Sequence, residues 1–201
     1  MHIYGLTGGI ACGKSEAAKR FVERGIPVID ADEVAHELLE PGGAAVDEVT
    51  EAFGEYILTG GQIDRTKLGD HVFRDPVARR TINAITHPLV VRVIVERCAG
   101  LAQEGHQVVV IDAALLAENG RREPWLDGLI LVSCGEDLRG RRLVEKRGMT
   151  PGRARDRIEA QTPPDSKVPL ADWVIENEST VESLHAGVDR IVDEILAIGN
   201  G

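Results

Sequence analysis

Aromatic side chains are scarce in this sequence: Phe, Trp and Tyr together make up 3% of 201 residues. That leaves no series of rings on which nucleic-acid bases could stack. Basic residues are outnumbered, 23 Lys and Arg against 33 Asp and Glu, for a formal net charge of −10. Non-specific binding to a phosphate backbone runs on lysine and arginine, so a nucleic-acid partner is not expected. Long apolar runs are missing too. None approaches the roughly 20 residues of a membrane-spanning helix, and Met1-His2-Ile3-Tyr4 lacks the charged start and apolar stretch of a secretory signal. The three cysteines, Cys12, Cys98 and Cys134, lie far apart in sequence with no CxxC pair. Neither a zinc site nor a disulfide framework is therefore expected, and cytoplasmic residence follows as the default. No obligate protein partner is indicated.

What the chain does contain is an ordinary globular balance, 43% hydrophobic and 28% charged, enough for one compact domain with small insertions. Residues 2–7 read as a short buried strand entering a glycine-rich turn. Glu16 to Arg24 reads as a helix, with Ala17, Ala18, Phe21 and Val22 on one face and Gly25 as its stop. Pro27-Val28-Ile29 follows as a second strand. Further buried strands are expected at Val108–Ile111, Leu129–Val132 and Trp173–Ile175, spaced as crossover units of a parallel sheet. Ser179 with Glu182 has the form of a capping box before a terminal helix carrying Val181, Leu184, Val188, Ile191 and Ile195.

Two stretches depart from strand-helix alternation. Residues 33–105 are helical in pattern, with breaks expected at Gly42-Gly43, Gly60-Gly61, Asp75-Pro76 and His87-Pro88. Residues 136–166 read as two polar helices joined near Met149-Thr150-Pro151, Thr150 capping and Pro151 in the first turn. With Gly8-Gly9-Ile10-Ala11-Cys12-Gly13-Lys14-Ser15 between the first strand and helix, the expected fold class is α/β: a parallel-sheet P-loop NTPase core with a helical substrate-binding insertion and a small helical lid.

The chemistry starts at Gly8-Gly9-Ile10-Ala11-Cys12-Gly13-Lys14-Ser15, which fits GxxxxGK[ST] in full, after an apolar strand and before an amphipathic helix. Glycines let the backbone curl so that successive N–H groups point at phosphate oxygens, and the helix adds its positive end. Lys14 is expected to reach the β- and γ-phosphates of a nucleoside triphosphate, and the Ser15 hydroxyl to join the Mg²⁺ shell. Cys12 reads as a small residue in a small space rather than a redox handle. Asp30-Ala31-Asp32 closes the second strand, where ligands of open parallel sheets collect. One of these aspartates is expected to cap the next helix; Asp32 is taken as the group that orients an acceptor hydroxyl and accepts its proton. Asp112, after Val108–Ile111, has the setting of an acid holding Mg²⁺ through water, and equally of a strand-end turn residue. Arg139, Arg141, Arg142, Lys146, Arg147, Arg153, Arg155 and Arg157 form the basic cluster of an otherwise acidic chain. A mobile basic lid, led by Arg142, suits a phosphotransferase. His2, His36, His71, His106 and His185 are scattered and suggest no metal site.

Together these residues resemble the dephospho-CoA kinases over essentially the whole chain. The likeness runs through Leu6-Thr7-Gly8-Gly9-Ile10, Val28-Ile29-Asp30-Ala31-Asp32, Ile85-Thr86-His87-Pro88, Leu115-Leu116 with Glu118, Arg142, Gln161, Lys167 and Ala171-Asp172-Trp173-Val174-Ile175-Glu176-Asn177. The resemblance implies ATP as co-substrate with Mg²⁺, and phosphorylation of the ribose 3′-hydroxyl of dephospho-CoA. It implies that Gly8, Gly9, Ala11, Cys12, Gly13, Lys14, Ser15 and Glu16 bind ATP, with Asn177 near its base. Asp32 becomes the acid-base residue and Arg142 the lid arginine, while His87 and Leu115 bind the acceptor. It divides the chain into a nucleotide core (1–32, 106–135, 168–201), an acceptor domain (33–105) and a lid (136–167). The sequence departs from the family pattern at Ala114 and Ala117, which replace a proline and an aromatic, at Glu16, where a threonine is usual, and at Arg139, where a glutamine is. Two other readings are a different small-molecule or nucleotide kinase, and a nucleotide-dependent switch. Against the switch stands the lack of an Asn-Lys-x-Asp guanine-reading motif.

Overall fold

The computed structural model of the chain describes residues 1–114, 116–117 and 121–199. In chain order the elements are β1 (His2–Gly8), α1 (Lys14–Glu23), β2 (Val28–Asp30), α2 (Ala31–Glu37) and α3 (Val46–Phe53). Next come β3 (Leu58–Thr59), β4 (Gln62–Ile63), α4 (Arg65–Arg74), α5 (Pro76–Gln103), β5 (Val108–Asp112) and β6 (Gly128–Ser133). The chain continues with α6 (Glu136–Arg147), α7 (Pro151–Glu159), β7 (Trp173–Glu176) and α8 (Val181–Gly199). They group into two compact units, Met1–Ile29 with Leu101–Gly201, and Asp30–Gly100.

The first unit is built on a five-stranded sheet of order β2-β5-β1-β6-β7. β1 runs parallel to β5 and β6, and β6 parallel to β7. Every residue of Val108-Val109-Val110-Ile111-Asp112 is buried, which is why this strand reads as a continuous apolar run: helices cover both faces of a parallel sheet. Tyr4, Leu6, Val110, Ile130 and Val132 meet Phe21 of α1 and Leu184, Val188, Ile191 and Ile195 of α8 in one core cluster. Ile191 is fully buried; truncating such a side chain to alanine costs about 2–5 kcal/mol. The crossover from β1 leads to β2, past β5, while β5 crosses to β6 on the other side of β1. Ligands of open sheets bind at the carboxyl ends beside such a reversal. Here those ends are the Gly8–Ser15 turn and Asp112.

In the Asp30–Gly100 unit, three aspartates start three helices. Asp30 accepts from the amides of Asp32 (2.8 Å) and Glu33 (3.1 Å), so Asp30 is the capping member of its pair. Asp64 accepts from Thr66 (3.0 Å) and Lys67 (3.1 Å), and Asp75 from Val77 (2.7 Å).

Several expectations need correction. α1 begins at Lys14 rather than Glu16, directly on the loop's Gly13. α8 is capped by Thr180, whose hydroxyl accepts from Ser183 N at 3.3 Å, one residue beyond the expected Ser179. Gly60-Gly61 is not a bare helix break but the two-residue turn of an antiparallel hairpin, β3 against β4. Both glycines have positive φ, 61° and 80°, the twist that such short turns demand. His87-Pro88 breaks nothing and starts nothing: α5 runs through it, with Pro88 in its interior. The lost N–H of Pro88 forfeits one helical bond, in a helix of 28 residues whose burial of Ile82, Ile85 and Ile94 outweighs it. Among the described residues no helix is long and apolar enough to cross a membrane.

Candidate active site

The turn from β1 to α1 is a tight loop closed by Cys12 N donating to Gly9 O at 3.1 Å. Gly13 precedes the helix with φ 98°, and a Cβ there would lie 2.3 Å from Asn177 Nδ2. Only glycine fits. Ala11 also has a positive φ, 62°, the single non-glycine case among the described residues, at a cost of about 1–2 kcal/mol. The loop's carbonyls are held from outside. Ile10 O accepts from Arg139 Nε at 3.1 Å, Ala11 O from Arg142 Nη1 at 3.3 Å, and Cys12 O from Asn177 Nδ2 at 2.8 Å. Arg142 Nη2 also reaches Asn177 O (3.2 Å) and Oδ1 (3.4 Å), tying two of these donors together. Gln161 Oε1 accepts the Ile10 N–H at 2.7 Å. With the positive end of α1 directly following it, the loop has the geometry of a phosphate cradle.

Lys14 forms an ion pair with Asp112, both side chains largely buried. Their approach follows from the sheet, since Leu6 near the end of β1 pairs with Asp112 of β5. The segment after β5 is anchored at Ala114 O, which accepts from Thr7 Oγ1 (3.1 Å) and Lys167 Nζ (3.2 Å). Ser15 is exposed. Glu16, the unusual acid beside the loop, lies 2.9 Å from His185 Nε2 on α8, so its carboxylate has a polar partner.

Far apart in sequence, Cys12 and Cys134 are neighbours in the fold, both buried. A hydrogen bond from the Cys134 thiol pulls the Cys12 thiol down to about 7; burial opposes the shift and the charge of Arg139 assists it. The same bond, with burial, pushes the Cys134 thiol up. In the other unit, burial alone raises Cys98.

Of the residues expected to act, the fold gathers Lys14, Asp112, Cys12, Arg142 and Asn177 around one loop. Asp32 and His87 belong to the Asp30–Gly100 unit, Asp32 exposed in the first turn of α2 and His87 exposed in mid-α5. Leu115 and Glu118 lie outside the described residues. Three contributors were not expected at these contacts: Arg139, taken as one cation of the basic cluster, and Gln161 and Lys167, named only in the resemblance; Arg139 and Gln161 bind the loop backbone at Ile10, and Lys167 binds Ala114 O after β5. Arg139 and Arg142 stand three apart on one helix, hence on one face, and that spacing was the available signal. No group of three or more His, Cys, Asp or Glu placed to hold a metal occurs among the described residues.

The chain is similar to known proteins. The family model described as dephospho-CoA kinase matches residues 2–183. A dephospho-CoA kinase of Anaeromyxobacter dehalogenans is 41% identical over 196 residues, 97% of this chain and 92% of that protein. Among solved structures, TT1252 from Thermus thermophilus superposes with a TM-score of 0.82 at 32% identity, covering 96% of this chain and 97% of the other. Dephospho-CoA kinase from Campylobacter jejuni shares the fold, with a TM-score of 0.61 at 23% identity and coverage of 96% and 97%. A braced phosphate loop, its lysine on the neighbouring strand's aspartate, and a match spanning nearly the whole chain lead to one conclusion: this chain belongs to the dephospho-CoA kinase family.

Proposed function

We propose that the chain transfers the terminal phosphoryl group of ATP to the ribose 3′-hydroxyl of dephospho-CoA, giving ADP and coenzyme A, the last step of coenzyme A biosynthesis. The observation that carries this reading is the phosphate loop with Lys14 paired to Asp112 at neighbouring strand ends, in a chain matched by the family model over residues 2–183. Gly8, Gly9, Ala11, Cys12, Gly13, Lys14, Ser15 and Glu16 line the donor phosphates, and Asn177 lies toward the base. On nucleotide binding Lys14 exchanges its carboxylate partner for phosphate oxygens, a charge-for-charge substitution. Asp32 orients the acceptor hydroxyl and takes its proton while the new O–P bond forms and the bond to the ADP leaving oxygen breaks. A loose phosphoryl-transfer transition state asks mainly for such alignment and charge neutralisation.

Residues 33–105 receive dephospho-CoA, His87 among them, Leu115 is a further contact of the acceptor, and residues 136–167 serve as the lid, with Arg142 as its leading cation. The exposed Ser15 hydroxyl and the Asp112 carboxylate are hard oxygen donors, the type that suits Mg²⁺ with most of its waters retained. Ser15 would hold the ion directly and Asp112 through water. When bound, it would neutralise phosphate charge. The reaction is placed in the cytoplasm, with ATP and dephospho-CoA as partners.

Incubation with Mg-ATP and dephospho-CoA is expected to yield ADP and coenzyme A in equal amounts. Other nucleotides and alcohols serve as acceptor controls; a preference for one of them would reject the proposed acceptor. Asp32→Asn is expected to lower kcat by about 10²–10⁴-fold with ATP affinity retained. Unchanged turnover would remove Asp32 from this role.

A further inference from the structure

Three successive carbonyls of the loop, those of Ile10, Ala11 and Cys12, are each gripped from outside by a side-chain donor. All peptides here are trans, and in a trans peptide the C=O and the following N–H point in opposite directions. Holding Ile10 O outward therefore turns the Ala11 N–H toward the other side, and holding Cys12 O outward does the same for Gly13 N–H. Between the first two grips lies Ala11, in the left-handed conformation that a Cβ disfavours.

Arg139 is committed to this duty. Only 3% of it is exposed, and its Nε and Nη2 are spent on Ile10 O and, at 3.3 Å, on Gln161 Oε1. A Cβ added at Gly9 would meet its Cζ and Nη2 at 3.1 Å, so the guanidinium abuts the loop backbone itself. Gln161 in turn accepts the Ile10 N–H at 2.7 Å. The Arg139–Gln161 pair thus holds Ile10 by both its carbonyl and its amide. Three residues on along α6, Arg142 holds the next carbonyl.

We propose that Arg139 is a positioning residue for nucleotide binding: with Arg142 it clamps the peptides on either side of Ala11, so that the amide cradle is already formed when the triphosphate arrives. The inference rests on the nucleotide site described above. A preformed site binds more tightly because less ordering is left to do on binding. Arg139 touches no substrate in this scheme. Its effect passes through the backbone of Ile10 and Ala11.

Calorimetric titration of the full-length protein with ATP, alongside steady-state kinetics, tests the clamp. Arg139→Ala is expected to raise the ATP Kd and KM about tenfold, with kcat within about twofold and the acceptor KM unchanged. Arg139→Gln, which restores the residue usual in the family and keeps one amide donor, is expected to fall between the two and guards against misfolding of the alanine variant. The sharper measurement is a double-mutant cycle with Ala11→Gly. Glycine adopts φ near 62° without a Cβ penalty, so Arg139→Ala should cost less than about threefold in that background, a non-additive result. An unchanged ATP Kd in folded Arg139→Ala or Arg139→Gln overturns the clamp, and so does an equal loss in both backgrounds. Should the wild-type protein itself bind no ATP, the nucleotide site fails with it; wild-type binding that is insensitive to Arg139 removes the clamp alone.

Discussion

In the sheet-bearing unit, the polar side chains around the loop are tied across long stretches of chain: Lys14 to Asp112 over 98 residues, Arg142 to Ala11 over 131, Gln161 to Ile10 over 151. In the Asp30–Gly100 unit the carboxylates of Asp30, Asp64 and Asp75 reach amides two or three residues away, and a tie such as Arg97 to Glu37 is the exception. The two units solve different problems. A phosphate cradle requires backbone groups fixed in direction, and only supports from several strands and helices fix them. Helix starts need one local acceptor each. Residues of the first kind should therefore couple to nucleotide affinity, and exposed residues of the second unit should act one at a time.

His87 offers the largest test of that contrast. Exposed on α5, it is a position where a substitution is expected to disturb little packing. His87→Ala is expected to raise the KM for dephospho-CoA about tenfold, leaving the ATP KM and the melting temperature where they were. A rise in both KM values would show that the acceptor side is wired into the loop as densely as Arg139 is, and the contrast would break.

The same division governs how much of the molecule could be read in advance. The phosphate loop, the buried strands, and Thr150 capping α7 at 3.4 Å to Arg153 N are legible because each is a local pattern with a local cause. Helix periodicity also located α8, though its cap lies one residue away at Thr180, since Ser and Thr are both competent acceptors. The hairpin at Leu58–Ile63 escaped because two-residue strands show no alternation; the doublet Gly60-Gly61 was its only mark. His87-Pro88 misled for the opposite reason. Proline is a strong local signal, and tertiary burial along α5 overrode it. The roles of Arg139, Gln161 and Lys167, and the adjacency of Cys12 to Cys134, are products of long-range packing. Only the three-residue spacing of Arg139 and Arg142 on one helix face hinted at any of them.

The thiol pair gives a smaller effect that belongs wholly to the first unit. The hydrogen bond from Cys134, against the opposing effect of burial and helped by the charge of Arg139, draws the Cys12 thiol down to about 7. A triphosphate on the loop disfavours the thiolate's negative charge and should raise the thiol again, so ATP is expected to bind about threefold more weakly well above pH 7 than below it. Affinity should be highest below pH 7 and fall to a plateau on the alkaline side. Cys12→Ser, which cannot ionise, is expected to flatten this step. A step that persists in the serine variant assigns the dependence to another group.

The smallest effect pits one carboxylate from each unit against the other in a thermal melt. Asp189 on α8 takes a two-pronged bond from Arg20 (2.9 and 2.8 Å) and a further contact from Arg24 at 2.9 Å, both near α1. Arg20 first, then Arg24, draws its carboxyl down to about 2. Its folded pKa lies below the unfolded value of about 3.9, so the stabilisation is complete above about pH 4 and lost as pH falls through about 2. Asp189→Asn is expected to lower Tm by about 2 °C at pH 7, with the gap to wild type closing as the pH falls from 4 to 2. Asp64 is also held below the usual carboxylate range, chiefly by the Lys67 amide and the Thr59 hydroxyl. The oxygen of an asparagine can accept both amides while its Nδ2 donates to the Thr59 hydroxyl, and asparagine caps as well as aspartate. Asp64→Asn should therefore shift Tm by less than about 1 °C. If the two substitutions cost the same, local and long-range carboxylates would be equivalent, and the distinction between the units would lose its energetic basis.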